Sequence, residues 1–417
     1  MPNRRNAVYV LLTICLLTGL FTGRAFFFNL AYLFTGLLVI SFLWAWLSVR
    51  WLSISRKTRA RRAQVGRSLD EAFIVHNRSL LPKLWLEVRD HSDLPGHHAS
   101  HVVPALAGRS TYRWYVQTPC TVRGEFQLGP ITLMSGDPFG LFLSPRRLGA
   151  TSRIIVYPAT VPMTHFELPM GLLSGGDAQR RRAHFVTTNA AGVRDYATGD
   201  SFNRIHWKST ARKDKLLVKE FELDPLVDIW LFVDFSASSV VEEPELARVG
   251  RTGTIVPTSS AIPPSTEEYG VVIAASLAKF FIESGRALGF AAYTPYREIH
   301  QPERGDRQLT RILETLAIAR SFSQYSLGQM LTLETPYFTR GTTLVIITSS
   351  LETKWVSEAQ ILSRKGIRPM CVLVDPSTFG GLTPSDEMRG ILRLAKIPTI
   401  ALKKTDDLSA ALAQRPI

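Results

Sequence analysis

Cysteine is scarce: the 417 residues hold three, Cys15, Cys120 and Cys371. They lie too far apart for a disulfide framework or a metal knuckle and read as plain buried thiols in a reducing compartment. No internal repeat is visible, and no G-x-S-x-G nucleophile elbow is present. The formal charge is +14, yet no basic stripe interleaved with aromatics follows, so no nucleic-acid partner is expected.

What is present begins with two apolar stretches, Val8 to Phe21 and Ala25 to Val49. A bilayer core of about 30 Å takes roughly 20 apolar residues in a helix. The second stretch meets that length with no charge after Arg24, and the first lies beside it across a tight turn, so a two-helix transmembrane hairpin is expected over 1–49. A cleaved signal peptide is the competing reading, but no A-x-A-like site precedes the second stretch. Arg4 and Arg5 precede the pair, Arg24 alone separates its members, and a basic run follows. Both termini are therefore expected in the cytoplasm, in a two-span protein of the cell membrane. Trp44, Trp46 and Trp51 fall at the depth amphipathic rings favour. Residues 50–66 read as a polybasic juxtamembrane segment, with Arg56, Lys57, Arg59, Arg61 and Arg62 meeting anionic lipid headgroups.

From 67 to 160, short β-like runs are punctuated by Gly, Pro and Asp, as in an antiparallel sandwich. Asp137-Pro-Phe-Gly140 reads as a type I turn. Residues 161–226 form a looser connector. From 227 to 417, apolar strands alternate with helical periodicity, which predicts a doubly wound α/β domain with its ligand site at the carboxyl ends of the strands. The fold class is thus α/β with a membrane hairpin and a β-sandwich-like segment. A long loop is expected between Ser236 and Glu267.

Three clusters carry candidate chemistry. The first strand of the α/β domain ends in Asp234-Phe-Ser236-Ala-Ser238, oxygen ligands suited to a hard cation such as Mg²⁺. The bland reading is a strand-end cap ordered by hydrogen bonds. This D-x-S-x-S resembles the metal-ion-dependent adhesion site of von Willebrand factor A domains, in which a second-loop Thr and a third-loop Asp complete the shell. Here Thr310 is the candidate for the former, while Ser349, Ser350 and Glu352 stand where the latter belongs. His91, His97, His98 and His101 read as a solvated hairpin tip in preference to a transition-metal site.

The third cluster, Gly192 to Glu222, is dense in charge. Asp200 and His206 are candidates for an acid–base pair in a hydrolase or envelope-processing enzyme; a structural ion-pair network anchored by Trp207 is the alternative. Arg204 and Arg212 are suited to an acidic partner peptide as bidentate donors. The string carried by Arg194, Tyr196, Gly199, Asp200, Arg204, Ile205, Trp207, Ala211 and Arg212 resembles the signature of the bacterial family called domain of unknown function 58. So do Arg123 to Pro130 and Asp137 to Phe142. That resemblance implies a C-terminal von Willebrand factor A-like (Rossmann-like) domain, and a MoxR-type AAA+ ATPase as partner in protein maturation or envelope functions. A transglutaminase-like membrane protein is implied as a second partner. The expectation is a membrane-anchored, non-enzymatic adaptor or scaffold with no catalytic residue; the hydrolase and a pure membrane scaffold are the other readings.

Overall fold

The computed structural model describes residues 2–59, 61–149, 151–168, 190–196, 205–213, 215–221, 228–242, 262–294 and 296–416. It divides into two compact units.

The first unit opens with helices α1 (Pro2–Thr22) and α2 (Ala25–Ser48). Both are long and apolar enough to cross a membrane. Gly23, at φ +62°, supplies the left-handed turn between them. Ten strands follow. They are β1 (Leu52–Thr58), β2 (Arg62–Gln64), β3 (Ser68–Asn77), β4 (Leu86–Asp90), β5 (His101–Val103), β6 (Thr111–Pro119), β7 (Gly124–Leu128), β8 (Ile131–Gly136), β9 (Leu143–Leu148) and β10 (Ser152–Tyr157). They form sheets ordered β1-β3-β6, β2-β10-β7 and β5-β4-β8-β9.

Along β3 every second side chain is buried, the period that a strand with one covered face requires. Its Phe73 and Val75 share one core with Trp114 of β6, Leu86 and Val88 of β4, and Ile131 and Leu133 of β8. Two sheets thus enclose a common apolar layer. In the Asp137 turn, the carboxylate accepts the Phe139 N–H at 3.0 Å and the Phe142 N–H at 2.6 Å, and Gly140 takes φ +72°.

Of the expected lipid-binding run, Arg56 is instead buried within this β unit. Arg56 lies on β1, and its side chain is 4% exposed. It pairs with Glu71 and Asp90, and its guanidinium stacks over the Phe73 ring at 4.8 Å. Two carboxylate side chains buried on strands of two different sheets require a cation, and Arg56 supplies it. Lys57, Arg59, Arg61 and Arg62 are exposed, but by Thr58 the strand has carried the chain roughly 20 Å from its start beside α2. The histidine tip is solvated only in part: His91 and His98 are exposed, whereas the His97 side chain is buried, with Nε2 at 2.9 Å from Asp90 and Nδ1 at 2.7 Å from Thr118. His101 stacks on Tyr112 and Trp114.

The second unit contains β11 (Ala190–Asp195), α3 (Trp207–Lys213), β12 (Leu217–Phe221), β13 (Ile229–Val233), α4 (Thr266–Glu283), β14 (Leu288–Tyr293), β15 (Arg297–Glu303), α5 (Asp306–Ile318), α6 (Leu327–Glu334), β16 (Thr343–Thr348), α7 (Lys354–Arg364), β17 (Arg368–Val374), α8 (Asp386–Leu394), β18 (Thr399–Leu402) and α9 (Leu408–Leu412). The end of α5, from Leu313, belongs to the first unit.

The main sheet runs β15-β14-β13-β16-β17-β18, parallel except for the antiparallel edge strand β15. This is the doubly wound order 3-2-1-4-5-6. The five residues of β13 and the six of β14 and β16 are buried throughout, as sheets covered on both faces demand. Gly289 makes room for Trp230 on the adjacent strand: a Cβ there would lie 2.6 Å from the indole. The chain reverses direction of strand addition between β13 and β16. Their carboxyl ends open a crevice there, where such sheets hold ligands.

Candidate functional site

The crevice is built from two strand ends. β13 delivers Asp234, whose backbone N–H still bonds the Ile347 carbonyl of β16. The chain then turns through a short 3-10 segment, Ala237–Ser239. Oδ1 of Asp234 accepts the Ser236 N–H at 2.9 Å and the Ser236 hydroxyl at 2.6 Å. Oδ2 accepts the hydroxyl of Thr348, the last residue of β16, at 2.6 Å. Thr348 in turn receives the Ser350 N–H at 2.9 Å.

Burial pushes the Asp234 carboxyl above the ordinary carboxylate range, against the opposing pull of the bonds from Ser236 and Thr348. A half-buried carboxylate whose charge is costly, held by hydroxyls in the crevice of a doubly wound sheet, marks a functional-site candidate. A small pocket opens on it, with Asp234, Ser239, Thr266, Glu267, Thr348 and Ser349 in its lining.

Two expected participants are placed differently. Ser238 is exposed, whereas the 3-10 turn brings Ser239 inward, 3.1 Å from the Ser236 hydroxyl. Thr310 lies within α5 and not at a strand end. Ser349 lines the pocket and donates to the Ser239 carbonyl at 2.6 Å, and Ser350 is buried beside it.

Sequence reading missed Thr348 and Glu267. Thr348 closes an apolar run, and its polar terminus at a strand end was the available signal. Glu267 sits in the first turn of α4, accepting the Ser321 N–H at 2.8 Å. All the donors are oxygens and one or two are carboxylates, the set with which Mg²⁺ is held while it keeps several waters. The residues therefore fit a hard cation. Among the described residues, no group of three His, Cys, Asp or Glu is placed to hold a metal ion.

The charged signature is described in part. Arg194 is the penultimate residue of β11, which pairs antiparallel with β12. Tyr196 continues that pairing by donating its N–H to the Leu216 carbonyl at 2.9 Å. Gly199, Asp200 and Arg204 lie outside the described residues. Ile205, Leu217 and Val218 are buried. Trp207, expected as an anchor, is 66% exposed at the start of α3, and Arg212 is exposed in its last turn. The buried aliphatics hold the segment, which leaves the indole outside.

His206 accepts the Ser209 N–H at 3.2 Å on Nδ1, which also lies 2.7 Å from the Ser209 hydroxyl. A nitrogen that receives a backbone N–H carries no proton there, so the contact serves to cap the first turn of α3. Elsewhere in the unit, Arg297 clamps buried Glu334 through both oxygens at 2.7 and 3.0 Å. The Tyr293 hydroxyl donates to the same carboxylate, and burial with that neighbour pushes the phenol up to about 12.

Residues 192–252 match the family described as Protein of unknown function DUF58. The Uncharacterized protein YeaD of Bacillus subtilis (strain 168) is 22% identical over 309 residues, covering 72% of this chain and 71% of that protein. Among solved structures, the pilus adhesin SpaC of Lactobacillus rhamnosus GG is 14% identical with TM-score 0.31, over 45% of this chain and 29% of the adhesin. The CARDB domain of the PF1109 protein from Pyrococcus furiosus is 14% identical with TM-score 0.19, over 25% of this chain and 91% of that domain. At such scores neither likeness carries an argument.

Proposed function

We propose that this DUF58-family protein is a membrane-anchored, non-enzymatic adaptor. Its second unit is read as von Willebrand factor A-like and as binding a partner through the crevice around Asp234. The observation that carries this reading is the meeting of Asp234 and Ser236 from β13 with Thr348 from β16 at the switch point of a 3-2-1-4-5-6 sheet. Mg²⁺ is the proposed cofactor. Asp234, Ser236 and Thr348 would hold it, and its remaining positions would be open to water or to a carboxylate of the partner. When bound, the cation supplies a point of attachment for such an acidic group.

The chain's own residues fix that point. The Ser236 N–H orients Oδ1, the Ser350 N–H orients Thr348, and burial on two strand ends keeps both from moving. The resemblance to the family makes a MoxR-type AAA+ ATPase the leading partner, with the termini and both units on the cytoplasmic side. A transglutaminase-like membrane protein is the second candidate.

Affinity capture from native membranes tests the reading by comparing the wild-type chain with Asp234→Ala. Recovery of an AAA+ ATPase with the wild type and its loss with the variant is the expected result. Equal recovery of every partner by both chains overturns it.

A further inference from the structure

The first unit carries exposed apolar side chains around the point where α2 ends. The loop after β3 reads Ser79-Leu-Leu-Pro-Lys-Leu84, and Leu80, Leu81 and Leu84 are exposed, Leu80 by 73%. Loops on a water-facing surface seldom present three leucines together. This one is tied to the helix end twice. The Arg78 N–H bonds the Trp51 carbonyl at 2.9 Å. The buried Lys83 ammonium donates to the Leu47 carbonyl at 2.7 Å, adding to the backbone N–H bonds that this carbonyl of the last turn already accepts.

The Asp137 turn stands beside the same helix, with the Phe142 ring edge-on to Phe42 at 5.7 Å. Phe42 precedes the end of α2 by roughly 9 Å of helix, and Phe139 at the tip of the turn is 56% exposed. Trp51 holds a left-handed φ of +57° while about half exposed. That conformation is strained for a bulky residue and persists where the surroundings impose it.

We propose that Trp51, Leu80, Leu81, Leu84 and Phe139 form a collar that inserts into the interfacial layer of an anionic lipid bilayer and seats the β unit on the membrane. Two observations choose lipid as the occupant. The collar is continuous with a helix apolar enough to cross a bilayer, so the medium that covers the end of α2 meets these side chains. Exposed Arg4, Arg50 and Arg78 lie along the same end, and the Arg50 guanidinium sits 3.7 Å from the Trp46 ring centroid. Aromatic, aliphatic and basic side chains together are the composition that interfacial depth favours. The collar is a surface distinct from exposed Lys57, Arg59, Arg61 and Arg62, and it rests on the anchored reading above.

The full-length chain carrying a single added cysteine is labelled with an environment-sensitive fluorophore and reconstituted in phosphatidylcholine–phosphatidylglycerol vesicles containing nitroxide lipid. Native Cys15, Cys120 and Cys371 are buried and leave the added site to the label. Strong quenching is expected at Leu81→Cys, at Phe139→Cys and, within α2, at Val39→Cys, with none at exposed Tyr115→Cys on β6. Quenching at residue 39 without quenching at 81 and 139 overturns the collar and leaves the anchor standing. A blue-shifted but unquenched label at 81 and 139 means that protein covers the collar, and overturns it too. Absence of quenching at 39 removes the anchored reading and the collar with it.

Discussion

Asp234 is held by three hydrogen bonds from two strand ends, yet burial raises its pKa. The sign of the linkage follows. A carboxyl whose folded pKa lies above its unfolded value stabilises the fold fully at pH below the unfolded pKa, and that contribution is lost as pH rises through the folded one. Above its folded pKa the ionised carboxylate is therefore a stability cost, of the kind retained where function requires it. Asp234→Asn is expected to keep the Ser236 bonds, since its carbonyl oxygen replaces Oδ1, while Thr348 turns to accept. Its melting temperature at pH 7 should match or exceed that of the wild type, and titration calorimetry should show loss of Mg²⁺ binding. Ligation needs the ionised form, so Mg²⁺ should raise the wild-type melting temperature more as pH rises through the Asp234 pKa. A melting temperature that Mg²⁺ leaves unchanged at every pH would remove the cation from the proposed function.

At the scale of elements, the pairing of β1 with β3 brings Arg56 to Glu71, and β4 adds Asp90. Removing the cation leaves two buried carboxylates without it, and Arg56→Ala should destabilise the β unit by about 3–5 kcal/mol. Urea unfolding of the solubilised protein measures this, and Glu71→Gln in the same chain should recover part of the loss. Burial pushes Asp90 up, but bonds from His97 and Ser92 and the charge of Arg56 carry it below the ordinary range. That stability is present above the unfolded pKa, about 4, and is lost as pH falls through the folded value.

These elements also mark where sequence was legible. The continuous apolar runs of β13, β14, β16 and β17 announced buried parallel strands, and Asp234-x-Ser236 announced the end of the first. β15, Arg297-Glu-Ile-His-Gln-Pro-Glu303, is a polar edge strand whose composition masks its pairing with β14. β1 was read by its charge, because the partners of Arg56 lie 15 and 34 residues away and no local pattern reveals them. Thr348 was hidden for a similar reason, since its partner stands 114 residues earlier on the adjacent strand.

For the whole molecule, orientation is the property from which partner choice follows. The α1–α2 hairpin has its turn at Gly23–Arg24, and the two ends opposite that turn meet the β unit through Arg5, Phe42 and Phe142. If both helices cross the bilayer, that turn and the β unit lie on opposite sides of it. Arg24 is the lone charge at the turn, while Arg4, Arg5 and Arg50 stand at the other end. Basic residues are retained on the cytoplasmic side, and the proposed function requires the β unit there, where an ATP-driven partner would have its fuel. Arg24→Cys should react with a membrane-impermeant maleimide on intact cells. Tyr115→Cys, strongly exposed on β6, should react only after permeabilisation. The reverse pattern would place the β unit outside the cytoplasm and exclude a cytosolic AAA+ ATPase as its partner, whatever Asp234 binds. Equal reaction at both sites on intact cells would mean that the hairpin does not cross at all, and the collar around α2 would then need another occupant.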